Sequence, residues 1–189
     1  MRRQLLASMR TLLILTIVTG LAYPLVVTGI AQLGMRSRAN GSLVTADGRV
    51  VGSMLIGQSF KGDRWFQGRP DGYDPHASGA SNLGPTNPQL IDLVKSNIAS
   101  LKTQNGLAPG AQIPADAVTG SGSGLDPDIS VAFAQLQAPR VARARGLPLE
   151  LLLGLIGQQT QGRTAGFLGE PRINVLLLNI ALERLASGT

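Results

Sequence analysis

Glycine, serine and aspartate crowd into Thr119-Gly120-Ser121-Gly122-Ser123-Gly124-Leu125-Asp126-Pro127-Asp128, the stretch of this 189-residue chain best suited by residue type to chemistry. Small residues permit close backbone approach and positive φ, and Asp126 and Asp128 are carboxylates of the kind used for proton transfer or hard cations. No serine here has glycines two positions away on both sides, as a nucleophile elbow needs, and the glycines do not fit the dinucleotide fingerprint. The reading that remains is a packed turn, with Asp126 and Asp128 bonding backbone amides ahead of a helix that Ser130 caps.

Other chemical candidates fail on specific residues. Gly57-Gln58-Ser59-Phe60-Lys61-Gly62 has the glycine spacing of a phosphate loop, but Asp63-Arg64 stands where Lys and Ser or Thr are required. Gly154-Leu155-Ile156-Gly157-Gln158 faintly resembles a transporter Ser-Gly-Gly-Gln signature, yet it lies in an apolar helical run that core packing explains better. Asp71 with Asp74 is a second carboxylate pair, of a kind that turns use routinely. The chain has no cysteine and a single histidine, His76, which excludes thiolate chemistry, sulfur-ligated zinc and any multi-histidine metal site within one chain. His76 itself reads as a polar loop residue in Tyr73-Asp74-Pro75-His76.

The formal charge of +6 is unevenly placed. Arg2, Arg3, Arg10, Arg36 and Arg38 flank one apolar segment, and beyond them twelve Lys or Arg face eleven Asp or Glu. A soluble part close to neutral, with four Phe and one Trp, lacks the basic and aromatic footprint of a nucleic-acid binder.

The flanked segment, Leu12 to Leu33, runs 22 residues without a charge. As a helix it extends about 33 Å, enough to cross a hydrocarbon layer of about 30 Å. A cleaved signal peptide is the competing reading, supported by the basic leader and Ser37-Arg38-Ala39, but the apolar run is too long for it and Arg36 and Arg38 resemble a stop flank. Pro24 removes one rung and predicts a kink. Thr16, Thr19, Gly20 and Tyr23 fall on one face, where small and hydroxyl residues allow close helix contact; the same residues are also ordinary in lipid-facing helices. Three arginines before the span and two after it favour an internal N-terminus. The expected organisation is a short cytoplasmic tail over 1–11, a transmembrane helix over 12–33 and one extracytoplasmic domain over 34–189.

Within that domain, Asp47-Gly48 between two β-like runs predicts a hairpin, with the second strand extending through Ser53 to Gln58, and Arg64 to Gln67 reads as a further short strand. Residues 68–88 form a long loop, read as ordered. Asn87-Pro88 predicts a helix start, with Leu90, Val94, Ile98 and Leu101 on its apolar face and Asn105-Gly106 at its end. Ser130 opens a helix through Ala138 that Pro139 interrupts or restarts, to end at Gly146. Pro148 opens another, with Leu149, Leu152, Leu153 and Ile156 on one side, and a last helix spans Ile173 to Ala186. Strands first and helices after predict an α+β fold with one core.

Taken together, the N-terminal span, Arg69-Pro70, Ser78 to Leu83 with Asn87-Pro88, Ser121 to Ser130, Gln137 with Arg140 to Arg145, and Leu168-Gly169-Glu170-Pro171-Arg172-Ile173-Asn174-Val175-Leu176 with Asn179 resemble the C subunit of the bacterial potassium-transporting P-type ATPase. The order of segments matches over nearly the whole chain. The resemblance implies an accessory, non-catalytic subunit of a high-affinity potassium uptake complex in the bacterial inner membrane. Its partners would be a channel-like subunit that selects potassium, a P-type subunit that hydrolyses ATP, and the lipid bilayer. It implies no directly bound cofactor, the ATP being used by the partner; the family's ascribed effect on ATP affinity would reach an external domain only by coupling between conformations. The residues it marks as interface or fold determinants are Arg69, Pro70, Ser81, Asn82, Asn87, Ser123, Asp126, Ser130, Arg140, Glu170, Asn174 and Asn179. A membrane-tethered extracytoplasmic hydrolase and an extracytoplasmic ligand-binding module are the rival expectations, motivated by the serine-glycine loop and by the long loops.

Overall fold

A computed structural model describes residues 1–187 and divides the chain into two compact units, Met1–Leu43 and Val44–Thr189. In the first unit, α1 (Arg2–Ile17), a π-helical turn (Val18–Ala22) and α2 (Tyr23–Gly34) form one helix of 33 residues, long and apolar enough to cross a membrane. Helix begins at Arg2, so the residues expected as a tail are helical too. A π turn ends two residues before Pro24, and the helix continues through it. A four-residue helix, α3 (Arg36–Ala39), follows, and the Asn40 side chain bonds Gln32 and the Arg36 carbonyl.

The second unit is α+β. Its hairpin, β1 (Leu43–Ala46) and β2 (Arg49–Ser53), turns at Asp47 and Gly48, whose φ values of 49° and 74° are those a two-residue primed turn requires. The strand ends at Ser53 and does not run on to Gln58. Residues 54–87 then contain no helix or strand. α4 (Pro88–Asn105) starts as its sequence predicts: the Asn87 side chain accepts from the Gln89 amide, Pro88 occupies the first turn, and Gly106 ends the helix at φ 64°.

The core lies among α5 (Val131–Arg145), α6 (Leu149–Gln159) and α7 (Val175–Ser187), with Phe133, Val141, Leu152, Ile156, Leu178 and Leu182 buried between them. α5 is continuous, which corrects the expected interruption at Pro139. An internal proline costs about 3 kcal/mol, and the helix around it is packed into the core, with Ala138 and Val141 buried on either side. On α6 the buried face is Leu152, Leu155 and Ile156, whereas Leu149 is exposed.

Two short strands precede helices directly: β3 (Asp128–Ser130) before α5 and β4 (Arg172–Asn174) before α7. They pair antiparallel, Asp128 with Asn174 and Ser130 with Arg172, so the helices start from one two-stranded ribbon with Ile129 and Ile173 buried in it. The strands-first order was therefore incomplete, and Ile173 belongs to β4 rather than to the last helix. Three residues are too few to show a period-2 pattern, and the apolar spacing of α7 absorbs Ile173.

Candidate functional site

Arg69 is the junction of the long loop. Its guanidinium donates to the Thr119 and Gly120 carbonyls, the latter at 2.6 Å, and meets the Asp126 carboxylate at 3.3 Å. Two residues on, Asp71 accepts from both the amide and the hydroxyl of Ser121 at 2.7 Å. Further along, the Gly79 amide and the Ser78 hydroxyl donate to the Ser123 carbonyl. The two segments richest in Gly, Ser and Asp are thus zipped to each other.

Their glycines serve that contact. A Cβ on Gly120 would stand 2.8 Å from Asp71 Oδ1, and one on Gly57 would stand 2.6 Å from the Asp126 carbonyl. The Gly57 amide donates to the Leu125 carbonyl, so the glycine that imitates a phosphate loop is used for backbone contact with the 125–126 turn. Asp126 completes the turn by accepting from the Asp128 amide, as expected, while the Ser123 hydroxyl accepts from Leu125. Asp128 forms a 2.9 Å ion pair with Arg172 across the ribbon. Burial pushes the Asp128 carboxyl above its usual range; Arg172 pulls it down, Asp126 pushes it up, and hydrogen bonds from Asn174 and Arg172 lower it.

Beside this junction lies a cleft of about 230 Å³, lined by Phe60, Arg69, Pro70, Tyr73, Gln104 and Asp126 among others. A larger, more apolar groove of about 550 Å³ is lined by Val51, Phe60, Trp65, Leu176 and Ile180, with Asp47, Glu183 and Arg184 around them.

A second polar cluster is buried. The segment Arg64–Gln67, expected as a strand, has no strand partner; side-chain amides take the place of one. Asn179 on α7 accepts from the Phe66 amide and donates to the Phe66 carbonyl, and Gln137 on α5 does the same for Gln67. Arg140, one turn from Gln137, donates to the carbonyls of Asp63 and Trp65 and to the side chains of Asn105 and Gln137. Burial pulls the Arg140 guanidinium below its ordinary value; Asp63 acts in the opposite sense and Arg143 in the same one. Arg145 bonds the Arg64 carbonyl and Glu183 and stacks over Trp65 at 4.5 Å. That stack faces the cation whose Nη1 is, among the described residues, the buried side-chain atom with no hydrogen-bond partner.

The remaining expected residues do local work or none inside the chain. Ser130 caps α5 and is gripped through its amide and hydroxyl by Asp116. Asn174 accepts from Leu177 at the start of α7 and donates to the Met54 carbonyl. Glu170 pairs with Arg163 at 2.7 Å on the surface. Ser81 and Asn82 are exposed, Asn82 at φ 54°, and Ser81 makes only a 3.5 Å contact to the Leu83 amide. His76 is exposed, its amide held by Asp74. Along the span, Thr16, Thr19, Gly20 and Tyr23 are exposed. Gln137, Asn105, Asp71 and Asp116 emerge as structural partners beyond the residues expected as interface or fold determinants. The readable signal for Gln137 was a polar residue three before Arg140 among alanines; for Asp116, which lies in a connection, there was none.

No group of three or more metal-ligating side chains occurs among the described residues. Residues 5–184 match the family model described as K+-transporting ATPase, c chain. The chain belongs to that family. It is 51% identical to the potassium-transporting ATPase KdpC subunit of Mycobacterium tuberculosis H37Rv over 189 residues, covering 98% of this chain and all of the relative. It is 53% identical to the subunit so named from Methylobacterium nodulans, over 91% of this chain and 92% of the relative. For the Bradyrhizobium diazoefficiens subunit the values are 48%, 99% and 100%. Membership in the C-chain family makes this a subunit of a potassium-transporting ATPase with an apolar helix at its N-terminus.

Proposed function

We propose that the chain is an accessory, non-catalytic subunit that supports assembly of the potassium pump and raises the ATP affinity of its P-type subunit by conformational coupling. The helix Arg2–Gly34 crosses the inner membrane with its N-terminus in the cytoplasm and packs against spans of the channel-like and P-type subunits; the domain stands outside. The observation that carries this reading is how the polar residues are used. Asp71, Asp126, Asp128 and Asp116 each hold a backbone amide, a serine or an arginine of their own chain, and Arg69 and Arg140 hold loop carbonyls. This is the construction of a rigid docking body. ATP then belongs to the partner, and an external domain influences it through packed spans.

Purification of the complex in mild detergent, with and without this chain, tests the proposal. Pump subunits should copurify with it, and potassium-stimulated ATPase activity at low ATP should fall in its absence. Unchanged activity and no copurifying pump would overturn it. A topology reporter at the C-terminus should be active only outside the cytoplasm, and a nucleotide photolabel that marked the chain at physiological ATP would refute indirect coupling.

A further inference from the structure

The π turn at Val18–Ala22 changes the hydrogen-bond accounts of the span. In a regular helix the Thr19 carbonyl would receive the amide of residue 23, and in a π register that of residue 24. The Tyr23 amide is given to the Val18 carbonyl. Residue 24 is proline and has no N–H to give. Both registers therefore leave the Thr19 carbonyl without its donor. The Thr19 hydroxyl does not compensate, since it donates to the Leu15 carbonyl at 2.6 Å.

The position of this oxygen makes it consequential. Thr19 lies nine residues after Arg10 and seventeen before Arg36, about 13 and 25 Å along the helix. That is inside the hydrocarbon layer, where acyl chains offer no donor and an unpaired carbonyl is costly. The surface beside it is low: a Cβ on Gly20 would meet only the Thr16 methyl, at 4.0 Å. A second helix can approach there closely enough to hydrogen-bond.

We propose that the Thr19 carbonyl accepts a hydrogen bond from a donor side chain on a membrane-spanning helix of a partner subunit, and that Pro24 exists in the span to expose it. This rests on the reading of the chain as a membrane-anchored subunit of the pump, which already supplies partner spans. Among possible occupants, a partner span is favoured because the open carbonyl needs a fixed donor and the shallow Gly20 surface admits a whole helix.

Two full-length variants act on the carbonyl in different ways. Pro24→Ala restores the missing N–H and lets the helix close over the oxygen; Gly20→Leu keeps the π turn and covers it. Both should insert in the membrane at the wild-type level, while the amount of pump subunits copurifying falls about three- to tenfold, the value of one interhelical hydrogen bond in a membrane. The direct readout is solid-state NMR of the full chain labelled with carbonyl-¹³C threonine and ¹⁵N glycine. Thr28→Ser and Thr119→Ser leave Thr19-Gly20 as the sole Thr-Gly pair. Its carbonyl signal should move downfield when the labelled chain joins the partner subunits in lipid.

If the wild-type chain brings down no pump subunit, the accessory-subunit reading fails. If it does, and Pro24→Ala does so equally, or the carbonyl signal is the same alone and assembled, only this inference is overturned. A downfield shift that appears in the chain alone as its density in lipid rises would assign the donor to a second copy and likewise overturn it.

Discussion

Gly62–Gln67 and Ser78–Asn87 are both irregular loops, and both lie beside residues through which the chain resembles its family, but they are held differently. In the first, Asn179, Gln137 and Arg140 reach out of α7 and α5 and satisfy backbone groups of Gly62, Asp63, Trp65, Phe66 and Gln67. In the second, Gly79 is tied to Ser123 and Asn87 caps a helix, while Ser81 and Asn82 between them are exposed and lightly held. The backbone of the first loop is fixed by side chains of the fold. The second places Ser81 and Asn82 where the chain itself gains little, so a role for them in contact with another subunit can be tested apart from folding.

Removing a clasp residue is the strongest way to test the first half of that contrast. Arg140→Ala would strip donors from the Asp63 and Trp65 carbonyls and leave Gln137 and Asn105 short of partners, at a cost of about 3–5 kcal/mol. Asn179→Leu would orphan both backbone groups of Phe66, at about 2–4 kcal/mol. Trp65 is the only tryptophan and sits in this clasp against Arg145, so the fall in urea midpoint of its fluorescence measures both. A loss below about 1 kcal/mol for Arg140→Ala would mean that the segment is held by something other than the clasp.

The sequence made some of this legible. Asn87-Pro88, Asp47-Gly48, Gly106, Ser130 and Gly146 state their turns and caps locally, and each is found where its chemistry predicts. The clasp was not legible, because hydrogen bonds between Phe66 and Asn179 join residues 113 positions apart and leave no periodic trace. Arg64–Gln67 has strand composition and an extended role, yet its partners are amide side chains on helices, which no pairing rule anticipates. Proline at 139 misleads for the opposite reason: the local cost is real and the tertiary packing around it is invisible in a window of sequence. For the candidate site, residue types indicated a packed turn over Thr119–Asp128, whereas the grip of Thr119, Gly120 and Asp126 on Arg69 and of Ser121 on Asp71 needed the fold.

Between the extremes stands Arg69, partly exposed and bonded to two carbonyls and a carboxylate. Arg69→Gln should cost about 1–2 kcal/mol by the same fluorescence midpoint, because solvent can replace part of what it gives. Asp128→Asn should be milder still near neutrality and should carry a pH signature. A carboxyl raised in the folded state binds its proton more tightly there, so its contribution is present at low pH and is lost as pH rises through the folded value. The wild type should therefore gain on Asp128→Asn as pH is lowered from 7 into the carboxylate range. An advantage that shrinks on acidification would show that the ion pair with Arg172 dominates over burial.

The smallest effect on stability is expected where the contrast predicts the largest effect on assembly. Ser81→Ala with Asn82→Gly keeps the left-handed backbone at position 82 and removes two exposed polar side chains. The fluorescence midpoint should move by no more than about 0.5 kcal/mol. In the same variant, recovery of the pump subunits from mild detergent should fall. An intact complex would mean that the lightly held loop is solvent-facing in the assembly as well.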